Sequence, residues 1–550
     1  MRAVLLALLA LTWCSGGLQP AERRTEVRRY TKPDYDLLIL HGTIIDGTGK
    51  PRFRGDIGIR GDTIADIGDL HDRTATTTLD ATGDIVAPGF IDLLGNSQSA
   101  VLIDPKLEGK VRQGVTTEVT GEGHSPGPID EAMAAEMERT KPAGWPPVSW
   151  RTLGDFMRVV EKKGSAINFA FYVGAANPRE MVLGQANRAP AAGELQKMTA
   201  IVDQSMNDGA VGLASALIYP PGSFATTDEL TALAKHAGAY WTHMRSEGNA
   251  IDAGIDEAIA IARGAHVPLN IFHIKVVGQH NWGKMPEVLK RIEKSGVDYA
   301  SCIYPYTATS TDLISIMPAW AQQGGYAAFA ARLKDPTTRA KILGELRAGR
   351  FSDLKAAHAM AIRGTGKQLD EYAKALGLDP AEAVARAMET QTSSPAAIFF
   401  SVSEDDMKLA LKQPWVAVCS DSGAVISRDK GAHPRANGTF TRILGVYVRE
   451  EKLITLEEAI RKMTSLAASR AFLGDRGILR PGMKADVTVF NPDTIKDVAT
   501  YDDPYPFSVG VRHVIVNGTP ILRDQKMTGA LPGRMLRKLS GAPPPPAALR

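Results

Sequence analysis

Ala87-Pro88-Gly89-Phe90-Ile91-Asp92-Leu93-Leu94-Gly95-Asn96-Ser97 is the stretch on which the reading of this chain turns. A proline–glycine turn leads into a short apolar run that ends in an aspartate, which reads as a strand entered through a tight turn. Upstream, residues 35–79 alternate as short strands joined by glycine-bearing turns, and a matching set returns at 482–490 and 511–518. The two ends are expected to pair into one small β-sandwich domain over residues 34–86 and 478–535. Downstream, apolar strand-like runs alternate with helical patterns, as parallel βα units do. Strands are expected within 166–173, 267–273 and 415–420, and helices within 250–264 and 286–294. Residues 87–477 therefore read as the barrel. The polar and Ala-rich segment 319–397 is too long for an ordinary loop and is expected to be an insertion near the barrel mouth. The tail 538–550, with its proline run, is expected to be disordered.

With 550 residues, 44% of them hydrophobic and 23% charged, the chain can bury a large core, and its size suits a barrel with an added domain. A formal net charge of +3, with acidic and basic residues interspersed, leaves no nucleic-acid footprint. A small-molecule or peptide-like ligand is expected instead. Arg2, the apolar run 3–13 and Ser15-Gly16-Gly17 form an export signal, too short in its apolar part for a mature membrane span. Residues 1–25 are thus expected to be a signal peptide, and the mature protein to be periplasmic or secreted. Cys14 sits where a lipid-modified cysteine would, although bulky Trp13 fits that role poorly. Membrane attachment as a lipoprotein is expected only if Cys14 is lipidated. Cys302 and Cys419 lie in apolar runs and read as small buried hydrophobes rather than a disulfide.

Four segments place a metal-competent side chain just beyond an apolar strand, and in a parallel barrel those strand ends converge on one face. They are 114–126 with Glu122 and His124, 241–248 with His243, 271–275 with His273, and 419–423 with Asp421. A lone histidine at a strand end is more often a hydrogen-bonded core or surface residue than a ligand. Four such segments in this order point to one site. His280, His433 and His513 have ordinary explanations in loops and in a strand of the small domain.

On these residues the chain resembles the N-acyl-D-amino-acid deacylase (D-aminoacylase) branch of the amidohydrolase superfamily, from about residue 35 to residue 537. Further matching segments are Asn281-Trp282-Gly283-Lys284, Tyr304-Pro305-Tyr306-Thr307-Ala308, His433-Pro434-Arg435 through Gly438-Thr439-Phe440, and Arg476-Gly477-Ile478-Leu479-Arg480-Pro481-Gly482-Met483-Lys484-Ala485-Asp486. The resemblance implies an α/β fold, a TIM-like (β/α)8 metal-dependent hydrolase barrel beside the small β-sandwich. It implies that His243 and His273 hold a zinc ion, and that Asp421 takes a proton from the attacking water and passes it to the leaving nitrogen. The family's third ligand is a cysteine in a G-N-C-G turn, which here reads Gly121-Glu122-Gly123-His124. Glu122 lies at or one residue from the cysteine position, with His124 as the fallback, and both side chains are competent zinc ligands.

The family's first barrel strand runs P-G-F-I-D-x-H-x-H, and its two histidines are replaced here by Leu94 and Asn96. The weaker of two metal positions is thereby lost, and one zinc ion (Zn2+) per chain is expected, which is chemically sufficient when an aspartate serves as base. The resemblance also implies that Lys275, Tyr304, Ser310 and Arg435 hold the carboxylate of the substrate. Lys275 lies two residues after His273 and is expected to lean the same way along the strand, and Tyr219 to line the same mouth. The expected function is zinc-dependent hydrolysis of the amide bond of N-acyl-D-amino acids or D-residue-containing peptides. The alternatives are a hydrolase of another cyclic or N-acyl amide, since the altered metal turn changes the pocket floor, and a catalytically silent ligand-binding homologue. An enzyme is favoured because Asp421 has no evident reason to accompany His243 and His273 in a binding protein.

Overall fold

The computed structural model describes residues 33–348, 360–362, 365, 367–389, 391, 393–426 and 432–538. The expected signal segment 1–25 with Cys14 lies outside the described residues, as does the tail beyond 538. Eight parallel strands surround one core: β1 (Phe90–Asp92), β2 (Val115–Thr120), β3 (Asn168–Phe171, resumed at Val173–Gly174), β4 (Leu213–Ala216), β5 (Tyr240–His243), β6 (Leu269–Ile271), β7 (Tyr299–Ile303) and β8 (Val416–Val418). Each pairs with the next in parallel register, Ala216 opposite His243 for instance. A parallel bridge between Gly95 and Ser422 brings the end of β8 back to the end of β1 and closes the barrel.

Alternation along each strand decides what it faces. Tyr240, Ile271, Ile303 and Val416 pack in one buried cluster with helix residues such as Leu230, Ile255 and Val288. Their neighbours Trp241, Phe272, Cys302 and Ala417 form a second buried cluster, the barrel interior, with Tyr172, Leu94 and Cys419. Both cysteines are free and buried. The fully buried Trp241 packs between Tyr172 and Phe272, with ring centroids 5.3 and 5.0 Å away. Trp241→Ala removes this filling and is expected to cost about 3–5 kcal/mol, measured as a fall in unfolding free energy in denaturant titration. Unchanged stability would mean that the interior collapses around the gap.

The two helices read from periodicity form as Ile251–Ala265 and Met285–Glu293. The first buries Ile251, Ile255, Ala258, Ile259 and Ala262, the one-sided stripe that a helix lying on a barrel requires. The two chain ends meet in a nine-stranded sheet that is continuous through its hydrogen bonds. Its central strand, Tyr35–Ile44, pairs antiparallel with Phe53–Arg60 and in parallel with both Ala75–Asp80 and Ile85–Pro88, so the sheet branches there and encloses its own apolar core. Val487–Phe490 pairs with Ile85–Pro88, which carries the C-terminal segment to the residues that lead into β1.

Between β7 and β8 the chain leaves the barrel. This excursion begins with Thr309–Asp312, ten residues before the expected boundary at 319, and returns through Ala396–Phe399, its antiparallel partner. Thr309–Asp312 is polar and partly exposed, so no apolar alternation marks it as a strand. The excursion has its own core around Leu313, Phe329, Leu343, Met360 and Met388. Among the described residues no helix is long and apolar enough to cross a membrane.

Candidate metal centre

Three strand ends deliver the ligand candidates. β5 ends on His243, while β6 stops at Ile271 and His273 follows in a turn at φ 33°. After β2 the backbone passes through Gly121 (φ 116°), Glu122 and Gly123 (φ 64°). A Cβ at Gly123 would sit 2.7 Å from the Cβ of Ala216, so this turn can press against the end of β4 only as glycine. The result places Glu122 Oε1 2.9 Å from His243 Nδ1 and 3.2 Å from His273 Nε2.

One donor atom from each of these three residues lies within 4.8 Å of the others. Donors on a tetrahedral zinc ion sit about 3.4 Å apart at bond lengths of about 2.0–2.1 Å, so the set needs little movement to close on one ion. The electrostatics agree. Burial opposes ionisation of Glu122, but hydrogen bonds with His243 and His273 outweigh it and hold the carboxyl below its ordinary range. Burial and Lys275 push His273 down, yet Asp421, Glu247 and Glu122 prevail and lift it to about 10. A place where carboxylates favour a proton this strongly is one where they favour a metal cation. His124 stands apart: its side chain is 45% exposed and pairs with Glu180 at 3.1 Å.

Leu94 and Asn96 fall beyond β1, which ends at Asp92. Leu94 is fully buried in the barrel interior and its carbonyl accepts the Asp421 N–H at 2.8 Å. Asp421 leaves β8 in the left-handed region at φ 49°, and its Oδ2 lies 2.8 Å from Arg435 Nη1. Glu122, His243, His273, Asp421, Lys275, Tyr304, Ser310 and Tyr219 all line one cavity of about 500 Å³. Lys275 reaches it by a route other than the one expected. The strand has ended four residues earlier, and the turn at His273 brings Lys275 Nζ 2.8 Å from His273 Nδ1.

Arg435 stacks over the Tyr304 ring at 4.7 Å and donates to the Ser310 carbonyl at 3.3 Å. The Tyr304 hydroxyl and Arg435 Nε are buried without a hydrogen-bond partner among the described residues. Tyr219 hydrogen-bonds Thr311 and so ties the β4 loop to the excursion. His280 also lines the cavity and hydrogen-bonds Asn249, whereas His433 accepts the Arg435 N–H and His513 accepts the Asp524 N–H.

One residue without an expected role belongs to the site. Glu247 Oε1 lies 3.1 Å from His273 Nδ1 and 2.7 Å from Lys275 Nζ, and its Oε2 lies 3.6 Å from His243 Nε2. It stands behind both histidines, on the side away from Glu122, where a carboxylate fixes tautomer and ring orientation. Its only signal in the sequence is its position four residues after His243.

Residues 113–522 match the family model described as Amidohydrolase family. The chain is 36% identical to an N-acyl-D-glutamate deacylase of Alcaligenes xylosoxydans xylosoxydans over 522 residues, 92% of this chain and 98% of that protein. It is 35% identical to a D-aminoacylase from the same source over 512 residues, again 92% and 98%. Among solved structures, the N-acyl-D-glutamate deacylase of Bordetella bronchiseptica complexed with zinc and a phosphonate inhibitor, a mimic of the tetrahedral intermediate, superposes with a TM-score of 0.78 at 34% identity, covering 92% of this chain and 99% of that one. With β5, β6 and β8 bringing His243, His273 and Asp421 to one barrel mouth, this chain belongs to the amidohydrolase family.

Proposed function

We propose that this chain hydrolyses the amide bond of N-acyl-D-amino acids, with one zinc ion held by Glu122, His243 and His273 and with Asp421 as the proton carrier. The observation that carries this reading is the clustered donor set of Glu122, His243 and His273 in the same cavity as Asp421. A bound zinc ion supplies Lewis acidity, polarising the scissile carbonyl and easing deprotonation of water. Asp421 accepts the proton of the attacking water as the C–O bond forms. It delivers that proton to the nitrogen as the C–N bond breaks, leaving a carboxylic acid and a free amino acid.

Substrate binding falls to groups that lack internal partners or can exchange them. Tyr304 OH is a buried donor in the cavity that an anionic substrate would satisfy, Arg435 Nε is a second one, on a residue lining the adjoining pocket shared with Ser310 and Asp421, and Lys275 adds charge beside Tyr304. The D-configuration and the N-acyl group follow the relatives' substrates. We also propose that the chain acts outside the cytoplasm, on the strength of Arg2 and the apolar run at 3–13.

A panel of N-acetyl-D- and N-acetyl-L-amino acids, with D-compounds whose carboxylate is blocked as an amide, tests the reading. The free D-acids are expected to be preferred by at least about 10²-fold in kcat/KM, with blocking of the carboxylate costing a similar factor. Equal rates on both enantiomers, or turnover confined to cyclic amides, would overturn it.

A further inference from the structure

We infer that Lys110, a fully buried lysine that does not line the cavity, is a positioning residue for Asp421. This rests on Asp421 being the proton carrier. Lys110 belongs to the helical turn Glu108–Val111 between β1 and β2. Its Nζ donates to Asp92 Oδ2 at 2.8 Å, to Ser420 Oγ at 2.8 Å and to the Ser422 carbonyl at 2.6 Å, and lies 3.3 Å from Glu118 Oε2. All three N–H groups of the ammonium are thereby used, two of them on the residues either side of Asp421.

The carboxylates complete the clamp. Asp92 Oδ1 accepts the Ser420 N–H at 2.8 Å. Glu118 accepts both the N–H and the hydroxyl of Ser97 at 2.7 Å, and Ser97 Oγ in turn accepts the Ala424 N–H at 2.9 Å. Ser420, Ser422 and Ala424 are thus tied to the ends of β1 and β2 while Asp421 itself bonds Leu94. Gly95 makes the room, because a Cβ there would lie 2.0 Å from Cδ of Glu118.

Two features say that this cluster serves geometry. Lys110, Asp92 and Glu118 have no exposed surface, and a buried ion cluster is a poor source of net stability because desolvation opposes it. Asp421 also holds a left-handed backbone, which a non-glycine residue keeps only where its surroundings over-determine it. The clamp supplies that constraint and so aims the carboxylate.

The test uses zinc-loaded enzyme carrying Ser420→Ala, which deletes one hydroxyl of the clamp, and Lys110→Met, which deletes its centre. Each is made alone and in the Asp421→Asn background, with zinc content, Tm, kcat and KM measured on every variant. In the wild-type background each is expected to lower kcat about 10- to 10²-fold, with KM and zinc content held. In the Asp421→Asn background the same changes are expected to cost less than about 2-fold. Unchanged kcat in Ser420→Ala, or the same loss with and without Asp421, would overturn the inference, and Ser420→Ala keeps the test alive if Lys110→Met does not fold. Full turnover in Asp421→Asn would instead remove the reading on which the inference stands, a result distinct from either.

Discussion

His243→Ala and His273→Ala are each expected to abolish stoichiometric zinc binding at micromolar metal and to take turnover down with it. Each variant removes one of three donors, and the loss should exceed the 10- to 100-fold that an outer-shell partner contributes to affinity. Wild-type protein is expected to bind about one equivalent, and binding in weakly buffered solution to release protons, since neighbouring carboxylates hold His273 at about 10 before the metal competes. No second tight equivalent is expected at the end of β1, where Leu94 is part of the barrel interior and Asp92 is engaged by Lys110 and Ser420. Metal analysis of the purified variants decides it. Full zinc content in either variant would remove that histidine from the ligand set, and two tight equivalents in the wild type would reveal a second one.

What could be read in advance divides along physical lines. The strand-and-helix alternation was legible because burial on both faces of a barrel strand leaves continuous apolar runs, and helices on its outside keep a one-sided stripe, as in Ile251–Ala265. His243 and His273 were legible as types of residue at or just beyond strand ends. The choice between Glu122 and His124 was not. It depends on where the left-handed glycines at 121 and 123 aim the turn, and on Glu180 being placed to engage His124. The resemblance puts Lys275 at the site, but the alternation argument beside it fails, because β6 ends at Ile271 and His273 adopts φ 33°. Beyond the spacing of Glu247 from His243, neither Glu247 nor the Lys110 cluster was marked in the sequence, since burial of a charge is a property of the tertiary fold. Lys110 and Ser420 are 310 positions apart and meet only when the barrel closes.

Asp421→Asn is expected to lower turnover by about 10²- to 10⁴-fold while zinc content stays near wild type, a loss far beyond any fall in the folded fraction. Asparagine keeps the size and the polar character of the side chain. The backbone constraint survives as well, because Ser420, Ser422 and Ala424 remain clamped and the Asp421 N–H still meets the Leu94 carbonyl. What disappears is the base. The change also frees Arg435 from its counter-charge at 2.8 Å, so the site gains rather than loses attraction for an anionic substrate, and KM is not expected to rise. A structural role predicts a different pattern. Arg435 is desolvated but held in its charged form by that carboxylate and its neighbours, so asparagine costs stability under either role; were Asp421 needed only to neutralise Arg435, that cost would be the whole effect. Activity would then track the folded fraction. Measuring kcat, KM, zinc and thermal unfolding on a single preparation separates the two. A large kcat loss in folded, zinc-loaded protein assigns the proton to Asp421, and loss only in step with the folded fraction or zinc withdraws that assignment.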